Sequence, residues 1–123
     1  MNVLIVEDDK NFSRVLAGEL RESGYTIDLA GDGVEGVLQF INKRPDFVVL
    51  DIKMPKLDGI NALRIMKKID PDVPAVTYSG NAGSGEMAES VRAGALRCLT
   101  KPFEIGQLKT EIQRYEARHG KAE

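Results

Sequence analysis

The sequence has few of the residues that staple a small protein together or hold a soft metal. It contains one cysteine, Cys98, and one histidine, His119. A lone cysteine excludes an internal disulfide and fits a reducing compartment. Cys98 and His119 are the only soft or imidazole ligands and stand far apart in the chain, so a zinc centre is not expected. The N-terminal apolar run stops at Val6 and has no basic lead-in, which predicts neither a signal peptide nor a membrane span. No charge of one sign dominates. Seventeen Lys and Arg stand against 19 Asp and Glu, and the net charge of −2 gives no global electrostatic case for nucleic acid or an anionic membrane. No repeat, low-complexity linker or shift of composition marks a second domain. A cytoplasmic protein is the expectation.

What remains is an ordinary globular composition, 42% apolar and 29% charged over 123 residues. That length suffices for one domain with its own core. Short apolar runs alternate with segments of helical period. Strands are predicted at 2–6 (NVLIV), 25–30 (YTIDLA), 46–50 (DFVVL), 74–79 (PAVTYS) and 97–100 (RCLT). The first and third are continuously apolar, as strands buried on both faces of a parallel sheet are. Between the strands, five helical stripes are predicted: Phe12, Val15, Leu16 and Leu20; Val34, Val37, Leu38 and Ile41; Ile60, Leu63, Met66 and Ile69; Met87, Val91 and Ala95; and Ile105, Leu108, Ile112 and Tyr115. Gly24, Pro45, Pro71 and Pro74 punctuate the ends of the first three. Five βα units in series predict an α/β fold, a parallel sheet with helices on both faces.

In such folds function sits outside the carboxyl ends of the strands. After strand one come Glu7, Asp8 and Asp9; after strand three, Asp51; strand four ends at Ser79; after strand five comes Lys101. Each has an ordinary explanation. Asp8 or Asp9 suits a helix cap, Asp51 a loop acid, Ser79 a turn and Lys101 a solvated helix start. Capping does not explain why acids, a hydroxyl and an ammonium meet on one edge. Two carboxylates about 5 Å apart repel by roughly 3 kcal/mol at an effective dielectric near 20. Gathering Glu7, Asp8 and Asp51 therefore implies a strained site that a hard divalent cation relieves, and few carboxylates plus water suit Mg²⁺. A carboxylate can attack phosphorus, and phosphoryl transfer asks mainly for positioning and charge neutralisation. With a cation on one phosphoryl oxygen, Lys101 on a second and Ser79 on a third, Asp51 needs no general base, being ionised at neutral pH.

The pieces LIVEDD (4–9), LDIKMPKLDG (50–59), SG (79–80) and LTKPF (99–103), in this order and at these spacings, resemble the receiver domains of bacterial two-component response regulators. The resemblance runs from Asn2 to about Arg118. It implies a single-domain, flavodoxin-like (βα)5 fold with five parallel strands in the order 2-1-3-4-5, a receiver over 1–118 and a polar tail over 119–123. It implies that Asp51 is the phosphoacceptor, charged by a histidine kinase or a histidine phosphotransfer protein. Asp8 then matches the direct metal carboxylate, Glu7 an acid acting largely through water, and the main-chain carbonyl of Lys53 the remaining protein ligand for Mg²⁺. Ser79 matches the switch hydroxyl and Lys101 its lysine, with Lys101–Pro102 a bond the family often holds in cis. Lys53 and Asn81 fall where receivers vary their rate of phosphate loss. Such a domain catalyses its own phosphorylation and dephosphorylation without being a conventional turnover enzyme. It addresses an output domain or partner through the face of the fourth helix, fifth strand and fifth helix. With no effector sequence after residue 123, the chain is expected to be either a complete regulator or the receiver of a longer one.

One position departs from the pattern. Three residues before the lysine the family carries an aromatic side chain, and here stands Cys98, expected to be a packing residue rather than a redox sensor. Tyr78, beside Ser79, is a substitute aromatic, but strand alternation turns the two side chains apart. Cys98 keeps open the alternative of a degenerate receiver acting as a phosphorylation-independent interaction module. Other readings fit less well. An Asp-nucleophile phosphatase wants a second acid where Lys53 stands. GNAGSGEM (80–87) lacks the Gly-Lys-Ser/Thr ending of a phosphate loop.

Overall fold

Val3 to Val6 and Phe47 to Leu50 have no exposed side chain, which only a strand covered on both faces allows. The computed structural model, which describes residues 1–80 and 84–119, places them in neighbouring strands at the centre of a sheet. In chain order the elements are β1 (Asn2–Val6), α1 (Lys10–Glu22), β2 (Thr26–Ala30), α2 (Gly33–Lys43), β3 (Phe47–Asp51), α3 (Gly59–Ile69), β4 (Ala75–Ser79), α4 (Ser84–Arg92), β5 (Arg97–Thr100) and α5 (Ile105–Arg118). The five strands are parallel and ordered β2-β1-β3-β4-β5, the predicted α/β order with its reversal between β1 and β3. Asn81 and residues 120–123 of the predicted tail lie outside the described residues.

Alternation along each strand feeds two cores. Val3, Ile5, Phe47, Val49, Val76 and Tyr78 pack with Leu16 and Leu20 of α1 and Leu108 and Ile112 of α5. Leu4, Val6, Val48 and Leu50 turn the other way, onto Phe40 of α2 and Ala62, Leu63 and Met66 of α3. A smaller cluster of Ile52, Ile60 and Cys98, flanked by Met87, lies beneath α4.

β1 and β5 have the predicted bounds, while β2, β3 and β4 are offset by a residue, and one difference matters. Asp51 is the last residue of β3, paired in register with Tyr78, rather than the first residue of a loop. The sheet ladder therefore fixes its backbone. Three predicted helix stripes need correction. On α1, Val15 is exposed while Ser13 and Ala17 are buried. On α2, Val34, Leu38 and Ile41 are exposed and the buried face is Gly33, Gly36 and Phe40. The reason is steric: a Cβ on Gly36 would stand 2.9 Å from the Val6 side chain, and one on Gly33 1.9 Å from the Leu57 carbonyl oxygen. The helix lies too close for a side chain at Gly36, against the sheet, and at Gly33, against the loop before α3, and only Phe40 adds a large buried side chain. On α4, Val91 is exposed, Ala95 lies beyond the helix end, and Ser90 is fully buried, its hydroxyl hydrogen-bonded to that of Thr77 on β4.

Candidate functional site

Asp9 caps α1. Its side chain accepts hydrogen bonds from the backbone N–H groups of Asn11 (3.0 Å) and Phe12 (3.1 Å). The ordinary explanation thus holds for Asp9 and frees Asp8. Beside it, carboxylate oxygens of Glu7, Asp8 and Asp51 all lie within 4.8 Å of one another. Glu7 and Asp51 are only 2% and 6% exposed, whereas Asp8 is exposed and lines an open groove with Lys53, Met54 and Glu86.

Gly59 explains how α3 can begin so near Asp51. A Cβ there would stand 2.1 Å from the Asp51 carbonyl oxygen, so only a residue without a side chain can start the helix at that distance. Asp58 caps this helix through the Asn61 N–H. The turn after β3 folds back so that the Lys53 N–H donates to Asp51 Oδ1 at 3.2 Å, which brings the Lys53 backbone alongside the acids.

Lys101 enters from the end of β5, where its N–H donates to the Ser79 carbonyl and its bond to Pro102 is cis. Its Nζ lies 3.8 Å from Glu7 Oε1 and 3.8 Å from Asp51 Oδ2, and 4.7 Å from the centre of the Phe12 ring. Ser79, fully buried, donates to Glu86 Oε1 at 3.4 Å. Glu86 also pairs with Lys53 Nζ at 3.7 Å. The six predicted positions thus form one chain of contacts at the strand ends: Glu7, Asp8 and Asp51 converge, Lys53 and Lys101 reach Asp51, and Ser79 joins through the Lys101 backbone. Burial, then the neighbouring Glu7 charge, pushes the Asp51 carboxyl from its ordinary 3.8 up to about 6, against the opposing pull of the Lys53 N–H and of Lys101.

Two partners escaped sequence reasoning. The Tyr78 hydroxyl donates to Glu7 Oε1 from within the α1–α5 core. Glu86, in the first turn of α4, holds Ser79 and Lys53. A sequence signal for Tyr78 existed, since it neighbours Ser79 on the opposite face, but its reach to Glu7 depends on register across three strands. Tyr78 does not replace the missing aromatic at position 98. Cys98 itself is buried among Ile52, Ile60 and Met87, as expected of a packing residue. The cluster is also less bare than repulsion alone predicts, because Tyr78, Lys101 and the N–H groups of Asp9 and Lys53 all compensate it.

The donor set is all oxygen, convergent and partly open, which fits a hard divalent cation and not a soft one. Among the described residues no helix is long and apolar enough to cross a membrane.

Comparison with known proteins agrees with this geometry. The response regulator receiver domain model matches residues 3–113. Response regulator MprA of Mycobacterium sp. (strain KMS) is 36% identical over 113 residues, 92% of this chain but 49% of the relative. The chain spans about half the length of the curated relatives it matches. Among solved structures, the receiver domain of Francisella response regulator 1452 is 31% identical with a TM-score of 0.88, covering 96% of this chain and 98% of that one. A chain of the CheX-CheY-BeF3-Mg+2 complex from Borrelia burgdorferi is 30% identical with a TM-score of 0.86, covering 97% and 89%. With strand order, rim chemistry and the match over 3–113 in agreement, this chain belongs to the receiver domains of two-component response regulators.

Proposed function

We propose that the chain is a phosphorylation-activated switch, with its receiver over residues 1–118, in which Asp51 takes a phosphoryl group from a histidine kinase or histidine phosphotransfer protein. The observation that carries this reading is the convergence of Glu7, Asp8 and Asp51 within 4.8 Å beside Lys101. A carboxyl titrating near 6 is mostly ionised at pH 7, so Asp51 attacks without a general base. Its oxygen forms a bond to phosphorus, the phosphorus–nitrogen bond of the phosphohistidine breaks, and the electron pair leaves with the imidazole.

Glu7, Asp8, Asp51 and the main-chain carbonyl of Lys53 are the groups we assign to Mg²⁺. When bound, the ion supplies charge neutralisation for the phosphoryl oxygens. The Mg²⁺ and BeF3 of the Borrelia complex support this assignment. Lys101 already stands between two carboxylates, and Ser79 already donates to one. A phosphoryl group on Asp51 competes for both. Ser79 leaving Glu86 loosens the first turn of α4, and Lys101 leaving Glu7 pulls on the end of β5. That difference in contacts is what a two-state switch needs to alter the α4–β5–α5 face for an output domain or partner. Exposed Val91 and Leu96 on that face suit protein contact. The reading makes the protein cytoplasmic, and a signalling component rather than a turnover enzyme.

The test is incubation with Mg²⁺ and a small acyl phosphate, followed by intact mass. The expected result is a gain of one base-labile phosphoryl group, lost with EDTA and lost in Asp51→Asn. No Asp51-dependent gain overturns the reading.

A further inference from the structure

We infer that Tyr78 is a positioning residue for the cation site, acting through Glu7: its hydroxyl shares the Glu7 charge and thereby holds Mg²⁺ affinity below that of a bare acidic cluster. This deepens the proposed function and rests on its assignment of Mg²⁺ to these acids.

Tyr78 is fully buried, and its ring is held by edge contact with Phe12 (centroids 5.8 Å, 73°) and by Phe103 (5.3 Å, 53°). The ring has nowhere to swing, so the hydroxyl arrives at Glu7 Oε1 already oriented. The second oxygen, Oε2, accepts the Asp9 N–H at 2.9 Å. Both oxygens of a carboxylate that is 2% exposed are therefore occupied by fixed donors before any cation arrives. The Lys101 ammonium, 5.2 Å from the Tyr78 ring centre and 3.8 Å from Glu7 Oε1, completes the surround.

A hydrogen bond to a carboxylate is strongest when that charge is otherwise uncompensated, and weaker when a divalent ion shares it. The Tyr78 bond therefore stabilises the cation-free cluster more than the cation-bound one. Anything that stabilises one state of a binding equilibrium preferentially moves the equilibrium toward it. The hydroxyl does part of the cation's work and so competes with it, although it never touches the ion.

The experiment is a calorimetric Mg²⁺ titration of the whole chain at pH 7.5, with Tyr78→Phe, Glu7→Gln and the double variant, and Tyr25→Phe as the control. Tyr25 makes the same kind of bond, to Glu116 Oε1 at 3.0 Å, on the far side of the molecule. Tyr78→Phe keeps the ring and its packing, and is expected to bind Mg²⁺ about three- to tenfold more tightly while unfolding at a lower temperature without metal. In the Glu7→Gln background the same change is expected to leave the Mg²⁺ affinity unaltered, as is Tyr25→Phe in the wild type. Tyr78→Phe binding Mg²⁺ as the wild type does, or more weakly, overturns this inference alone. So does an equal effect of Tyr78→Phe with and without Glu7. A wild type that does not bind Mg²⁺ overturns the proposed function as well.

Discussion

Leu50 and Asp51 are consecutive residues of the same central strand and are almost equally buried, 0% and 6% exposed. Leu50 sits among Val6, Ala62 and Leu63, where removing apolar surface from water stabilises the fold. Asp51 sits among carboxylates, where the same removal from water opposes ionisation. The middle of the sheet and its rim are thus one construction put to opposite uses. The ladder that makes a dry core also holds a charge where solvent would never leave it. Burial by itself does not say whether a residue stabilises a protein.

Truncation in the middle is the largest expected effect. Leu50→Ala should lower stability by about 2–5 kcal/mol, read from a denaturant midpoint. A loss under 1 kcal/mol would mean the strand is not packed as described. At the rim the sign should invert. In metal-free buffer at pH 7, Asp51→Asn should raise stability by up to about 3 kcal/mol, because a carboxyl lifted from 3.8 to about 6 is a cost of about 1.4 kcal/mol per unit. Next is Gly59→Ala, whose methyl meets the Asp51 carbonyl and should cost about 1–3 kcal/mol while slowing phosphorylation of Asp51, checked by midpoint and by mass. Smallest is Asp9→Ala, which removes a cap worth about 1 kcal/mol and should leave Mg²⁺ affinity unchanged, since the Asp9 carboxylate serves the helix while its N–H to Glu7, which alanine keeps, serves the cluster.

The same contrast explains what the sequence discloses. The unbroken apolar runs of β1 and β3 declare strands covered on both faces, and a polar residue just past each such run must lie on the rim. Hence the rim places of Glu7, Asp8 and Asp51 were legible from position, whereas Ser79 and Lys101 follow the mixed runs of β4 and β5 and needed the alternation of strands and helices as well. The inner face of α2 was not, because two of its three buried positions, Gly33 and Gly36, carry no hydrophobic signal and leave Phe40 alone, while the apolar Val34, Leu38 and Ile41 face outward. Nor was the Tyr78–Glu7 bond, which needs the depth of a ring in a core and the stagger of three strands. Periodicity reports which side chains are apolar. It does not report where the backbone comes so close that no side chain fits.

The central claim is that Asp51 is held as an ion against its environment. Below both its unfolded and folded pKa values the residue is protonated in each state and costs nothing. Between about 4 and about 6 the folded form keeps a proton that the unfolded form has lost, so stability falls as pH rises, and above about 6 the full cost applies. The direct measurement is the difference in unfolding free energy between Asp51→Asn and the wild type, in EDTA, from below pH 4 to pH 8. The account predicts a difference that grows with pH through this window and levels off above it with the variant more stable. A variant that is less stable at neutral pH, or a difference indifferent to pH, would contradict it.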